Sequence, residues 1–189
     1  MGKESEIDIL DVDRKEVVRR LRQLGAKHEG LHRFRRIEFL IEGDTHGRHS
    51  WARVRTNGKE TTITLKETQG RAGFTSMKEY EVRASDFAEA VRIMSRLTKS
   101  KVLYWENERD AYRLGDAQVT IDKWPGIPAL VEIEAPTMRK VKEAYKRLGV
   151  KGRFVGNTPI HKVYEIYGLN FRKVVGKNGP KLKRLLKGG

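Results

Sequence analysis

Glu4-Ser5-Glu6 and Glu132-Ile133-Glu134 each set two carboxylates two residues apart. On an extended strand, residues at that spacing share one face. Each pair therefore offers its oxygens together, with an apolar or small residue turned the other way. Hard divalent cations such as Mg²⁺ and Mn²⁺ take carboxylate oxygens and share the rest of their shell with water and phosphate. Glu4, Glu6, Glu132 and Glu134 are thus candidate ligands that need no histidine. Burying them without cations costs several kcal/mol per ion, so positive charge must lie near any such face that points inward.

Positive charge at the same spacing is present. Arg53 and Arg55 share a face, and so do Thr62, Thr64 and Lys66 on the next segment. Arg109 and Arg113 recur later. A guanidinium fork matches two phosphate oxygens, and lysine adds a point charge. Acidic and basic segments of the same pattern predict a sheet lining a polar cavity that holds metal and an anion. Other chemistries are poorly served. Without cysteine there is no disulfide, thiolate ligand or thiol nucleophile. Neither a G-x-x-x-x-G-K-[ST] loop nor a G-x-G-x-x-G turn occurs. His46 and His49 stand in a loop-like stretch, His28, His32 and His161 lack ligand spacing, and no Ser/His/Asp set assembles.

The elements that must position these groups follow from local pattern. Asp13 followed by Glu16 resembles a capping box, and Val17, Val18, Leu21 and Leu24 recur at helical spacing before Gly25. A second helix begins near Ser85 with the stripe Phe87, Ala90, Val91, Met94, Leu97. A third begins near Thr137 with Val141, Ala144, Tyr145, Leu148 and ends at Gly149. Ile160, Val163, Tyr164 and Tyr167 suggest a fourth. Strands are expected around 33–42, 50–57, 60–68 and 77–84, then 102–114, 117–123 and 129–135, besides the first acidic segment. Asn57-Gly58 is a strong hairpin turn, with Gly115-Asp116 and Pro125-Gly126 turning the later strands. Runs of hairpins favour an α+β fold whose antiparallel strands, eight in all, curl into a barrel or tunnel with helices outside.

The 189 residues suffice for one domain with an appendage, and no stretch approaches the ~20 apolar residues of a membrane span. A cytoplasmic protein is the expectation. The net charge of +15 favours anionic partners without choosing among them. Part of the excess sits in residues 169–189, which contain no acid and place Leu182, Leu185 and Leu186 among lysines after Pro180. That tail reads as solvated, or as a basic arm for nucleic acid or for a second copy of the chain in a homodimer.

The ordered series of charged pairs resembles the CYTH superfamily, the triphosphate tunnel metalloenzymes, which include class IV adenylate cyclases, thiamine triphosphatases and inorganic triphosphatases. Glu4-x-Glu6 matches the start of that family's Glu-x-Glu-x-Lys signature. Arg53-x-Arg55 and Lys66 resemble its next basic positions, Glu79-x-Glu81 its central acidic pair, Arg109 with Tyr112 its Arg-x-x-Tyr strand. Asp122 and Glu132-x-Glu134 resemble its closing acidic set, and Tyr164 falls in the late helix. Two positions depart: the signature lysine is Asp8, and a Lys-x-Arg pair is Asn107-x-Arg109. The resemblance covers residues 3 to 168 and implies a tunnel domain over 1–168 with a basic tail over 169–189. It implies binding of a nucleoside or inorganic triphosphate by Arg53, Arg55, Lys66 and Arg109. Mg²⁺ or Mn²⁺ would sit on Glu4, Glu6, Glu81, Glu132 and Glu134, and Glu4, Glu6, Arg109 and Asp122 would carry the chemistry. The implied reaction is cyclisation of ATP or hydrolysis of a triphosphate; the rival is a nucleic-acid or polyphosphate binder with a weakened site.

Overall fold

Alternation of apolar and charged residues, rather than any long apolar run, builds the strands of this chain. The computed structural model describes residues 5–41, 50–69, 76–98 and 102–187. Glu4, His46 and His49 lie outside them. Along the chain run β1 (Ser5–Leu10), α1 (Arg14–Gln23), β2 (Lys27–Leu40), β3 (Ser50–Thr56), β4 (Thr61–Gln69) and β5 (Ser76–Ala84). Then come α2 (Phe87–Thr98), β6 (Val102–Leu114), β7 (Ala117–Lys123), β8 (Leu130–Ala135), α3 (Met138–Leu148) and β9 (Arg153–Gly156). The chain ends on α4 (Ile160–Ile166), α5 (Phe171–Gly176) and α6 (Gly179–Lys187).

The fold is α+β, with a nine-stranded sheet in the order β5-β4-β3-β2-β6-β7-β8-β1-β9. This corrects the expected eight strands. The extra strand is β9, four residues after α3 that pair antiparallel with Asp8–Leu10. Its sequence alternates too briefly to announce a strand, and its pairing depends on where α3 returns the chain. The order has two ends, β5 and β9, and no hydrogen-bonded closure into a barrel is found among the described residues. Strand β2 is also longer than expected, starting at Lys27 rather than near residue 33.

Two units divide the chain: Met1–Arg33 with Asn107–Phe171, and Phe34–Glu106 with Arg172–Gly189. In the first, Ile7 and Ile9 of β1, Val119 and Ile121 of β7 and Val131 and Ile133 of β8 meet Val17 and Leu21 of α1 and Val141, Ala144 and Leu148 of α3. Helix α1 starts where Asp13 accepts from the amides of Lys15 and Glu16 at 2.8 and 3.3 Å. Helix α3 starts at Thr137 and stops at Gly149, whose φ of 59° is the left-handed conformation glycine adopts freely. Arg20 of α1 donates to the carbonyls of Leu148 and Arg147, satisfying acceptors that the end of α3 leaves open. Beneath α1, the carboxylate of Asp110 is buried among Arg14 at 3.3 Å, the Tyr112 hydroxyl at 3.3 Å and His28 Nε2 at 2.7 Å.

In the second unit Ile37, Phe39, Ala52, Val54 and Tyr104 pack against Phe87, Ala90 and Val91 of α2, with Leu182 and Leu185 of α6 at the margin. Helix α6 is tied down further by Lys181 on Glu106 at 2.9 Å and by Arg92 donating to the Leu185 carbonyl at 3.3 Å. Residues that read as a solvated tail therefore carry a packed amphipathic helix.

Candidate functional site

The alternation that buries Ile7, Ile9, Val131 and Ile133 turns Glu6, Asp8, Glu132 and Glu134 to the opposite face of the first unit's strands. Register then brings distant carboxylates together: Glu6 faces Glu134 and Asp8 faces Glu132 across the β1–β8 ladder. Oxygens of Glu6, Glu132 and Glu134 lie within 4.8 Å of one another. A donor set of carboxylates alone, partly open to solvent, fits a hard divalent ion that keeps some waters. It does not fit a soft metal.

Asp8, where the resemblance expects lysine, is only 7% exposed. Burial pushes its carboxyl up to about 7, and Glu132, Glu6 and Asp122 push the same way. The amide of Thr158, donating at 3.0 Å, opposes them. A lysine would have countered its acidic neighbours with charge; an aspartate at this position is relieved by taking up a proton instead.

Beside the carboxylates, Arg109 of β6 meets Asp122 of β7, its register partner. Nε and Nη2 of Arg109 lie 2.8 and 2.7 Å from the two Asp122 oxygens, and Nη2 also lies 3.1 Å from Glu132. Burial disfavours the guanidinium charge, but Glu132 and Asp122 outweigh it and hold Arg109 above the usual arginine range. Asp122 is 1% exposed and also receives the Thr120 hydroxyl at 3.2 Å. The Asn107 amide donates to it at 3.4 Å, leaving the Asn107 Oδ1 buried without a hydrogen bond. Asp122 thus holds Arg109 in place, and Glu132 touches both Arg109 and the acidic cluster.

The second unit carries the other half of the predicted residues on one polar face. Glu38 faces Arg53, and Arg36 faces Arg55, across β2 and β3. Arg53 faces Thr64, and Arg55 faces Thr62, across β3 and β4. Lys66 faces Glu79 and Thr64 faces Glu81 on β5. Lys66 contacts Glu79, the Thr64 hydroxyl donates to Glu81 at 2.8 Å, and Arg55 stands 4.0 Å from Glu81. Arg53 differs: its Nε is buried without a hydrogen bond, as is the Thr62 hydroxyl. Burial, then Arg55 beside it, draws Arg53 below the usual arginine range. Burial likewise raises Glu38, against the pull of Arg53, Arg172 and Lys66. A half-buried guanidinium with an open donor is suited to an incoming anion.

The structure thus gathers Glu6, Glu132 and Glu134 with Arg109 and Asp122 in one unit, and Arg53, Arg55 and Lys66 in the other. Glu81 lies on exposed β5 within the basic row of the second unit. Tyr164 is fully buried, donating its hydroxyl to the Pro125 carbonyl at 2.5 Å and stacking edge-on with Phe171 at 5.1 Å. Arg36 and Glu38 were missed from sequence, although Arg36-x-Glu38 between Ile37 and Phe39 carries the same alternation as the segments that were read.

The family model described as the CYTH domain matches residues 9–151. Among solved structures, the PH1012 protein of Pyrococcus horikoshii OT3 is 23% identical with a TM-score of 0.64, over 79% of this chain and 92% of that one. A Vibrio parahaemolyticus protein provisionally described as an adenylate cyclase is 10% identical, TM-score 0.58, over 80% and 91%. HpAC1 from Hippeastrum, described as having a dominant triphosphatase activity, is 14% identical, TM-score 0.57, over 89% and 97%. At these identities the likeness is one of fold. No curated protein matches.

Proposed function

The chain belongs to the CYTH domain family, and from that premise we propose that it is a metal-dependent enzyme cleaving a triphosphate compound, by hydrolysis in the first instance. The observation that carries this reading is the convergence of Glu6, Glu132 and Glu134 from β1 and β8 beside a guanidinium. In this reading those three carboxylates, with Glu4 before them, hold Mg²⁺ or Mn²⁺. A divalent ion there supplies charge neutralisation for phosphate oxygens and lowers the pKa of bound water.

The chain's own residues do the rest. Arg53, with its open donor, and Arg55 and Lys66 bind phosphate oxygens by charge-assisted hydrogen bonds. Those bonds replace the contacts that Glu79 and Glu81 now make, so Glu81 acts as a placeholder that keeps Arg55 and Thr64 set for the anion. Arg109, oriented by Asp122, is positioned to stabilise charge that develops as the phosphoanhydride breaks. Phosphoryl transfer needs little from protein beyond such positioning and electrostatics. Asp8, whose carboxyl burial and the acidic neighbours hold above the usual range, adds a carboxyl where a lysine would bring positive charge beside the metal. Residues 1–168 form the catalytic domain in this reading, with 169–189 as a basic appendage.

Hydrolysis asks only that the phosphate chain and a water be held. Cyclisation of ATP to cyclic AMP is the second reading and asks, in addition, for a nucleobase pocket that turns the ribose 3′-hydroxyl inward. Incubation with ATP and with inorganic triphosphate, under Mg²⁺ and Mn²⁺, separates the two by product. Orthophosphate from either substrate supports hydrolysis, and cyclic AMP supports cyclisation. Absence of turnover on both substrates with both metals would sink the enzyme reading.

A further inference from the structure

Helix α6 has two faces with different fates. Leu182 and Leu185 are packed at the margin of the second unit's core, and Lys181 is engaged by Glu106. The other face presents Lys183, Arg184 and Lys187, all exposed, and Lys177 is exposed just ahead of it. None of these four has an acidic partner among the described residues, and residues 169–189 contain no acid at all. Arg184 and Lys187 lie in the last turn of α6, where open carbonyls favour cations. That accounts for two of the four and leaves Lys177 and Lys183. Like charges spaced as Lys183 and Lys187, or Arg184 and Lys187, face one another on a helix and destabilise it. The fold keeps this repulsion and, by anchoring the leucines, holds the cations as an ordered surface rather than a loose tail.

We propose that Lys177, Lys183, Arg184 and Lys187 form a binding surface for the phosphodiester backbone of a nucleic acid. A polyanion relieves the repulsion and needs no base-specific groups. A lipid surface fits less well. A helix lying on a membrane uses its apolar face to enter the headgroup region, and on α6 Leu182 and Leu185 of that face are already occupied. The exposure of Ile93 (54%) and Leu97 (73%) on α2 makes a vesicle arm necessary in the test. The proposal is independent of the triphosphate reading, because none of its residues belongs to either site described above.

The test uses the full chain and a fluorescent 20-nucleotide single-stranded RNA, with duplex DNA and phosphatidylserine vesicles in parallel. If four phosphates are engaged, RNA affinity falls about 50-fold between 50 and 200 mM salt, from a slope of about 0.7 per contact. Replacing all four residues by glutamine removes that slope, while replacing the three lysines by arginine retains it. Triphosphate turnover stays unchanged in the glutamine variant, and a melting temperature no lower than that of the wild type shows that the fold is intact. Equal binding of wild type and glutamine variant to RNA and DNA would overturn the proposal, as would no binding of either. Binding to vesicles but not to nucleic acid would also overturn it, and assign the surface to lipid.

Discussion

At the scale of single residues, Asp8 makes the sharpest prediction. Its carboxyl is raised from 3.8 to about 7 in the fold, so the folded state holds that proton more tightly than the unfolded chain does. The sign follows from linkage: stability falls as pH rises between about 4 and 7 and levels off above. The shift corresponds to a difference on the order of 4 kcal/mol across that range. Asp8→Asn mimics the protonated form, so it removes this loss. In denaturant titrations without metal, wild type and variant have similar stability at pH 4, and the variant is more stable by a few kcal/mol at pH 8. A parallel pair of curves would show that Asp8 is ionised throughout. The partnered cations give a second prediction. Arg109→Ala leaves Asp122 buried without its bidentate partner, which costs about 3–5 kcal/mol. Thermal unfolding at pH 7 should show a large loss, reduced by Arg109→Ala/Asp122→Ala, since removing both charges leaves neither unpaired.

Among elements, β9 is the one whose existence depends most on its surroundings. Its approach to β1 passes through Gly152, where an added Cβ would stand 2.6 Å from Ile9 Cγ2 and 2.7 Å from the Leu10 carbonyl. The obstacle includes backbone of β1, which is paired to β8 on its other side and cannot swing aside. Gly152→Ala should therefore cost about 1–3 kcal/mol, lowering the melting temperature by several degrees. A neutral result would mean that β9 is free to shift away from β1. The helices tell the opposite story. Asp13, Thr137 and Gly149 mark ends that local chemistry sets, and α1, α2 and α3 begin and end within a residue or two of where capping and periodicity put them. The α6 stripe was equally visible as Leu182, Leu185 and Leu186, but a periodic stripe does not say what covers it.

For the whole molecule, the proposed occupancy of the carboxylate cluster by a divalent ion is open to a stability measurement. A divalent ion that binds the folded protein and not the unfolded chain stabilises it by about 2.7 kcal/mol at a hundred times its Kd. For a chain of this length that is a rise of roughly 5–11 °C in melting temperature. Saturating Mn²⁺ against EDTA should give that rise at pH 8, and Glu132→Gln should abolish most of it. An equal rise in the variant would place the ion elsewhere. No described helix is long and apolar enough to cross a membrane.

Spacing along the chain determined which side chains share a face, because a strand repeats every two residues and the repeat is written locally. Glu6 with Asp8, Arg53 with Arg55, Thr64 with Lys66 and Glu132 with Glu134 were all legible for that reason, as was the family they resemble. Partnership was not. That Glu6 meets Glu134 depends on register between strands far apart in sequence, while the grip of Asp122 and Glu132 on Arg109 and the open donor of Arg53 depend on the register of neighbouring strands. A slip of one residue would turn the shifted strand's groups to the other face, and the packing of α1 and α3 on β1, β7 and β8, and of α2 on β2 and β3, together with the hairpin turns, selects among those registers.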